Sequence, residues 1–135
     1  MKICCLAIVK NEEHRVEGLI KSCIENKVDL YVYDTGSTDA TMSLLDEYNI
    51  PWQSITIEPF SFAEARNKAL ELAPNGYDIY IPVDADMKIL PTIKKLKDVE
   101  LGDKEIIWFY QIYPNGETSL WCGGYKIHQT HVCSV

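Results

Sequence analysis

Two carboxylates two residues apart close an apolar run in this chain. Ile79, Tyr80, Ile81, Pro82 and Val83 lead directly into Asp84-Ala85-Asp86. Residues i and i+2 of an extended segment face the same side. Two acids aimed into one space repel each other unless a cation or a set of donors lies between them. Asp84 and Asp86 are therefore candidate ligands of a divalent metal, and the competing reading is a solvated acidic loop. Other polar residues stand at equivalent places in the chain. Lys10, Asn11 and Glu12 follow the apolar run Ile3–Val9, and Asp34 ends a second apolar run.

These residues share an edge only if the elements before them are parallel strands. The run ending at Val9 is continuous rather than alternating, as in a strand covered on both faces. Val16, Leu19, Ile20, Cys23 and Ile24 then recur at helical spacing. Asn11 is a candidate cap for this helix, with Glu12 and Glu13 in its first turn. A second strand is expected over residues 30–34, and Thr35-Gly36-Ser37-Thr38 reads as a turn whose Ser37 or Thr38 caps a helix carrying Met42, Leu45 and Tyr48. Pro51 closes that unit, and residues 52–57 read as a third strand. Ser61 and Glu64 form an S-x-x-E capping box for a helix that Pro74-Asn75-Gly76 terminates. The fourth strand runs into Asp84. A short helix is expected after Pro91 and a fifth strand over residues 105–113. Asn115-Gly116 signals a two-residue hairpin turn. Pro82 is a misfit in a central strand and predicts a bulge or an unpaired stretch.

The alternation of strands and helices predicts a three-layer α/β domain with a mostly parallel central sheet and right-handed crossovers. Ligands of such sheets bind outside the carboxyl ends of the strands, which gathers Lys10, Asn11, Glu12, Asp34, Asp84 and Asp86 at one edge.

Composition narrows the functional classes. The chain has 135 residues, which suits a single domain spanning 1–135, and 47% of them are hydrophobic. A net charge of −7 argues against nucleic acid and against an anionic membrane surface. An acidic protein still binds a polyanionic small molecule when a metal carries the positive charge. Five cysteines with no Cys-x-x-Cys pair indicate neither a zinc site nor a disulfide framework, and a reducing, cytoplasmic compartment fits. The N-terminal apolar run is too short for a secretory core, and no stretch approaches the length of a transmembrane segment.

Four motifs in order resemble those of family 2 glycosyltransferases: Val9-Lys10-Asn11-Glu12-Glu13, Val32-Tyr33-Asp34-Thr35-Gly36-Ser37-Thr38-Asp39, Ala65-Arg66-Asn67 and Val83-Asp84-Ala85-Asp86. The resemblance covers roughly residues 1–90 and implies the GT-A fold. It also implies an activity: metal-dependent, inverting transfer of a sugar from a nucleotide sugar, a UDP-sugar above all, to a saccharide, lipid or protein acceptor. By the same resemblance, Val9, Lys10, Asn11 and Glu12 line the nucleoside pocket, and Asp34 accepts a hydrogen bond from the base. Turn formation or helix capping is the alternative role for Asp34. Arg66 contacts the nucleotide; a cation in the first turns of a helix opposes the dipole, so helix stability alone does not account for it. Asn67 is either a contact or a support. Asp86 ligates Mn²⁺ or Mg²⁺, while Asp84, with Ala85 between them, reaches the ribose or the metal. The dication stabilises the departing diphosphate.

The match is incomplete. An inverting enzyme needs a carboxylate base, which in the family lies well beyond the Asp-x-Asp. Few residues follow Asp86 here, and none of Asp98, Glu100, Asp103, Glu105 and Glu117 reads as that base. The chain therefore looks truncated on its C-terminal side, as a short natural form or the N-terminal part of a longer enzyme. Trp121-Cys122-Gly123-Gly124 followed by Ile127-His128 is loosely similar to a segment leading to a His-Glu pair in some relatives, with Gln129 in place of the glutamate. On that likeness His128 is a third metal ligand; the plainer reading is a solvated or core histidine. The alternative function is a non-catalytic module that holds the nucleotide sugar without the base and acceptor half. A nucleotidyltransferase would need a glycine-rich basic loop after the first strand, and a dinucleotide-binding enzyme a G-x-G-x-x-G; neither is present.

Overall fold

The computed structural model describes residues 2–98, 109–113 and 115–121. β1 (Ile3–Val9), β2 (Asp29–Asp34), β3 (Trp52–Ser54) and β4 (Ile79–Asp84) form a parallel sheet in the order β3-β2-β1-β4. α1 (Val16–Glu25) and α2 (Thr41–Glu47) form the crossovers on one side of the sheet, and α3 (Phe62–Glu71) covers the other. A 3-10 helix spans Pro91–Asp98, and β5 (Phe109–Ile112) pairs antiparallel with β6 (Thr118–Trp121) in a separate hairpin. No helix among the described residues is long and apolar enough to cross a membrane.

Strand alternation divides the core in two. Cys5, Ala7, Val9, Leu30, Val32, Ile79, Ile81 and Val83 face α1, where Val16, Leu19, Ile20 and Cys23 are buried, and α2, where Leu45 is. Cys4, Leu6, Tyr33 and Tyr80 face Ala65 and Ala69 of α3. Ser61 starts α3 as its sequence predicts, its hydroxyl accepting from the Glu64 amide at 3.4 Å.

Several local expectations are corrected. α1 begins at Val16 with no side-chain cap, because Asn11 has a left-handed φ of 53° and bonds to another loop instead. α2 begins at Thr41; Asp39, rather than Ser37 or Thr38, accepts from its first amide. β3 ends at Ser54, and Ile55 makes the last contact with β2 through its amide to the Asp34 carbonyl. Pro82 causes no bulge: β4 stays in register with β1 from Ile79 to Asp84. Among the described residues β4 is an edge strand, where a missing N–H is tolerated. In the hairpin, Tyr113 pairs with Glu117 and Gly116 has a φ of +85°, so the connection is one residue longer than a two-residue turn. The strand expected over 105–113 is seen from Phe109; its earlier part lies outside the described residues.

Candidate functional site

β1, β2 and β4 end on the same edge of the sheet, with Val9 paired to Asp34 and Ile8 to Asp84. This edge carries two different constructions, one on each side of the sheet.

On the α1/α2 side, the loop after β1 and the loop after β2 are laced together. Thr35 bonds the Val9 carbonyl through both its amide and its hydroxyl. The Asn11 amide donates to Ser37 Oγ at 2.9 Å, and Asn11 Oδ1 accepts from the Thr38 amide at 2.7 Å. The Glu12 amide donates to Thr41 Oγ1 at 2.9 Å. Glu13 and the next loop exchange bonds: its amide donates to Asp39 Oδ2 at 3.3 Å, and its carboxylate accepts from the Ala40 amide at 3.1 Å. Desolvation pushes the Asp39 carboxyl up, but hydrogen bonds from the Thr41 hydroxyl and amide and from the Glu13 amide outweigh it and hold the group below the usual aspartate range.

Asp34 sits inside this lacework, 3% exposed. Its carboxylate accepts from the Gly36 amide at 3.1 Å, from the Ser37 amide at 3.1 and 3.3 Å, and from the Ser37 hydroxyl. The turn role weighed for Asp34 is therefore real, and it leaves the carboxylate fixed by three donors of its own loop. Val9 is buried, with its side chain in the core. Glu12 is half-buried and its carboxylate pairs with Arg15 Nε at 3.6 Å. Lys10 is exposed, with no hydrogen bond or ion pair to another described residue.

On the α3 side, β4 ends at Asp84, and the next residues form a turn closed by the Met87 amide on the Asp84 carbonyl at 3.0 Å. Asp84 and Asp86 thus do not share one extended segment, contrary to the reading from their spacing. Ala85 turns inward, 4% exposed, and Asp86 stands in solvent with no described partner. Asp84 Oδ1 lies 3.5 Å from Arg66 Nη2. Phe62, one helical turn before Arg66, places its ring 6.0 Å below the guanidinium. Phe62, Arg66 and Asp84 rim a cleft floored by Leu6, Ile8 and Pro82. Asn67 does not line this cleft, and its side-chain oxygen is buried without a donor among the described residues.

No three His, Cys, Asp or Glu side chains among the described residues are arranged to hold a metal ion. Asp84 and Asp86 are hard oxygen donors on one turn, and a dication there would draw its remaining ligands from a bound diphosphate or water. His128, Glu100, Asp103 and Glu105 lie outside the described residues, and Glu117 is exposed on the hairpin. Buried thiols supply no nucleophile: burial pushes Cys4 up to about 12, and a hydrogen bond with Cys23 together with burial raises Cys5.

Motif reading assigned no role to Asp39, although it closes the second motif, and did not single out Thr41 or Phe62. The run of short polar residues from Thr35 to Thr41 was the available signal for the first two, and the four-residue spacing of Phe62 and Arg66 was the signal for the third.

The model of the family described as glycosyl transferase family 2 matches residues 4–121. No curated protein matches the chain. Among solved structures, glucosyl-3-phosphoglycerate synthase from Mycobacterium tuberculosis in complex with UDP superposes at a TM-score of 0.58, with 26% identity, over 82% of this chain and 44% of that one. The same synthase with Mn²⁺, UDP and glucosyl-3-phosphoglycerate gives 0.53 and 24% over 70% and 39%. S. aureus TarS 1–349 in complex with UDP-GlcNAc gives 0.58 and 23% over 73% and 30%. The chain thus spans under half the length of each of these structures.

Proposed function

Because the chain belongs to glycosyl transferase family 2 and has the GT-A fold, we propose that it binds a UDP-sugar across the carboxyl edge of β1, β2 and β4 and, with a divalent cation, transfers the sugar to an acceptor with inversion. One observation carries this reading: β2 and β4, flanking β1, deliver a preset carboxylate, Asp34, and an Arg66–Asp84 pair to one edge. UDP in the synthase complex at 26% identity supports the nucleotide assignment. Mn²⁺ beside UDP in a second complex supports the metal.

In this scheme Asp34 receives the base, its geometry fixed before the ligand arrives. Lys10 and Glu12 border the nucleoside on the β1 side. Arg66, released in part from Asp84, meets diphosphate oxygens as a charge-assisted donor. Phe62 holds the guanidinium plane from below. Asp86, with Asp84 beside it, would hold Mn²⁺ or Mg²⁺, which when bound offsets the charge of the departing diphosphate. The base that deprotonates the acceptor belongs to the part of the reaction for which no described residue is suited. Three buried free thiols, Cys4, Cys5 and Cys23, support a reducing compartment.

Calorimetric titration with UDP, with and without Mn²⁺, tests the reading. The expected result is an affinity that rises with Mn²⁺ and loses that rise in Asp86→Ala. UDP binding that ignores both the metal and the substitution would reject the metal assignment. A second assay, UDP release from UDP-sugars, separates transferase from binding module: tight binding with no turnover for any donor would favour the module.

A further inference from the structure

We infer that Asn11 is a positioning residue that holds the Asp34 loop in its binding geometry, rather than a contact to the ligand; this rests on the assignment of Asp34 to the base. Asn11 has a φ of 53°, a conformation that asparagine tolerates better than other residues with a side chain. That conformation aims its amide at Ser37 Oγ (2.9 Å) and its Oδ1 at the Thr38 amide (2.7 Å). A serine hydroxyl has one proton. Ser37 Oγ accepts from the Asn11 amide through a lone pair, and its one proton goes to Asp34 Oδ1, which can only accept. The Ser37 amide adds two contacts to the same carboxylate. A relay therefore runs from the Asn11 backbone through Ser37 to Asp34, and the Asn11 side chain locks the next residue, Thr38. The Oδ1 atom is committed to that lock, with the Thr38 hydroxyl also within 3.4 Å.

The two roles of Asn11 separate by substitution. Asn11→Gly keeps the left-handed backbone and deletes the lock. Asn11→Asp keeps an acceptor at Oδ1 and removes the Nδ2 donors that a ligand contact would use. Amide hydrogen exchange of Ser37 and Thr38 in the free protein reads the lock directly. Titration with uridine, followed in the same NMR spectra, reads the nucleoside side with a neutral probe that the added aspartate charge does not repel.

Asn11→Gly is expected to speed Thr38 exchange about tenfold and to weaken uridine about fivefold, the size of one lost neutral hydrogen bond. Asn11→Asp is expected to restore both to within about twofold of wild type. Weaker uridine binding in Asn11→Gly with Thr38 exchange unchanged would overturn the proposal in favour of direct contact. So would restored exchange in Asn11→Asp with affinity still at the Asn11→Gly level. Wild-type protein that binds neither uridine nor UDP would reject the functional reading, and the exchange comparison would still decide whether Asn11 holds the loop.

Discussion

The two sides of the carboxyl edge of the sheet are built to different tolerances. Under α1 and α2, nearly every backbone amide of the two loops has a named partner, and Asp34 is fixed by three donors of its own turn. Under α3, a 3.5 Å ion pair joins Arg66 to Asp84, both side chains remain partly exposed, and Asp86 has no described partner. Exposed ion pairs contribute little to stability, whereas a loop pinned by many hydrogen bonds has already lost the freedom that binding would remove. The first side is ready before the ligand arrives. The second, on the proposed reading, is completed by ligand oxygens.

Substitutions should therefore divide by side. Thr41 is fully buried, and its hydroxyl joins the Glu12 amide to Asp39. Thr41→Val is expected to lower stability by about 2 kcal/mol, since it strands the Glu12 amide and removes one of the bonds to the Asp39 carboxylate; urea unfolding measures it. A change under about 0.5 kcal/mol would mean that water replaces the hydroxyl and that the lacework is looser than its geometry.

Arg66→Ala should do the reverse: UDP affinity falls about tenfold, through loss of a charge-assisted bond, while the urea midpoint hardly moves. A large drop in stability would instead make the Arg66–Asp84 pair structural and erase the contrast between the sides.

The smallest effect concerns pH. Asp39 is held below its ordinary value of 3.8, so the stability it contributes is present above that value and is lost as pH falls through the folded one. Relative to Asp39→Asn, the wild-type advantage should shrink between about pH 5 and about pH 3. An advantage that is flat over this window would show that Asp39 is not held as an anion by Thr41 and Glu13.

The strand and helix order was legible because it is written in long apolar periods: Ile3–Val9 reads as a covered strand, and Ser61 with Glu64 marks the start of α3. The common edge followed from topology alone. What could not be read depends on contacts between loops far apart in sequence. Asn11 looks like a cap for the helix after it, and only its distance to Thr38 shows that its oxygen serves another loop. The Asp84–Asp86 spacing suggested one face, but local turn formation at Asp84 overrides the strand period. Pro82 needed the sheet order to be understood, since among the described residues β4 lies at the edge, where a missing N–H is tolerated.

Strand parity has a last consequence. Asp34 shares the alternation of Leu30 and Val32, toward α1 and α2, whereas Asp84 shares that of Tyr80, toward α3. The end of β1 stands between them. A molecule that engages both must straddle that strand tip like a saddlebag.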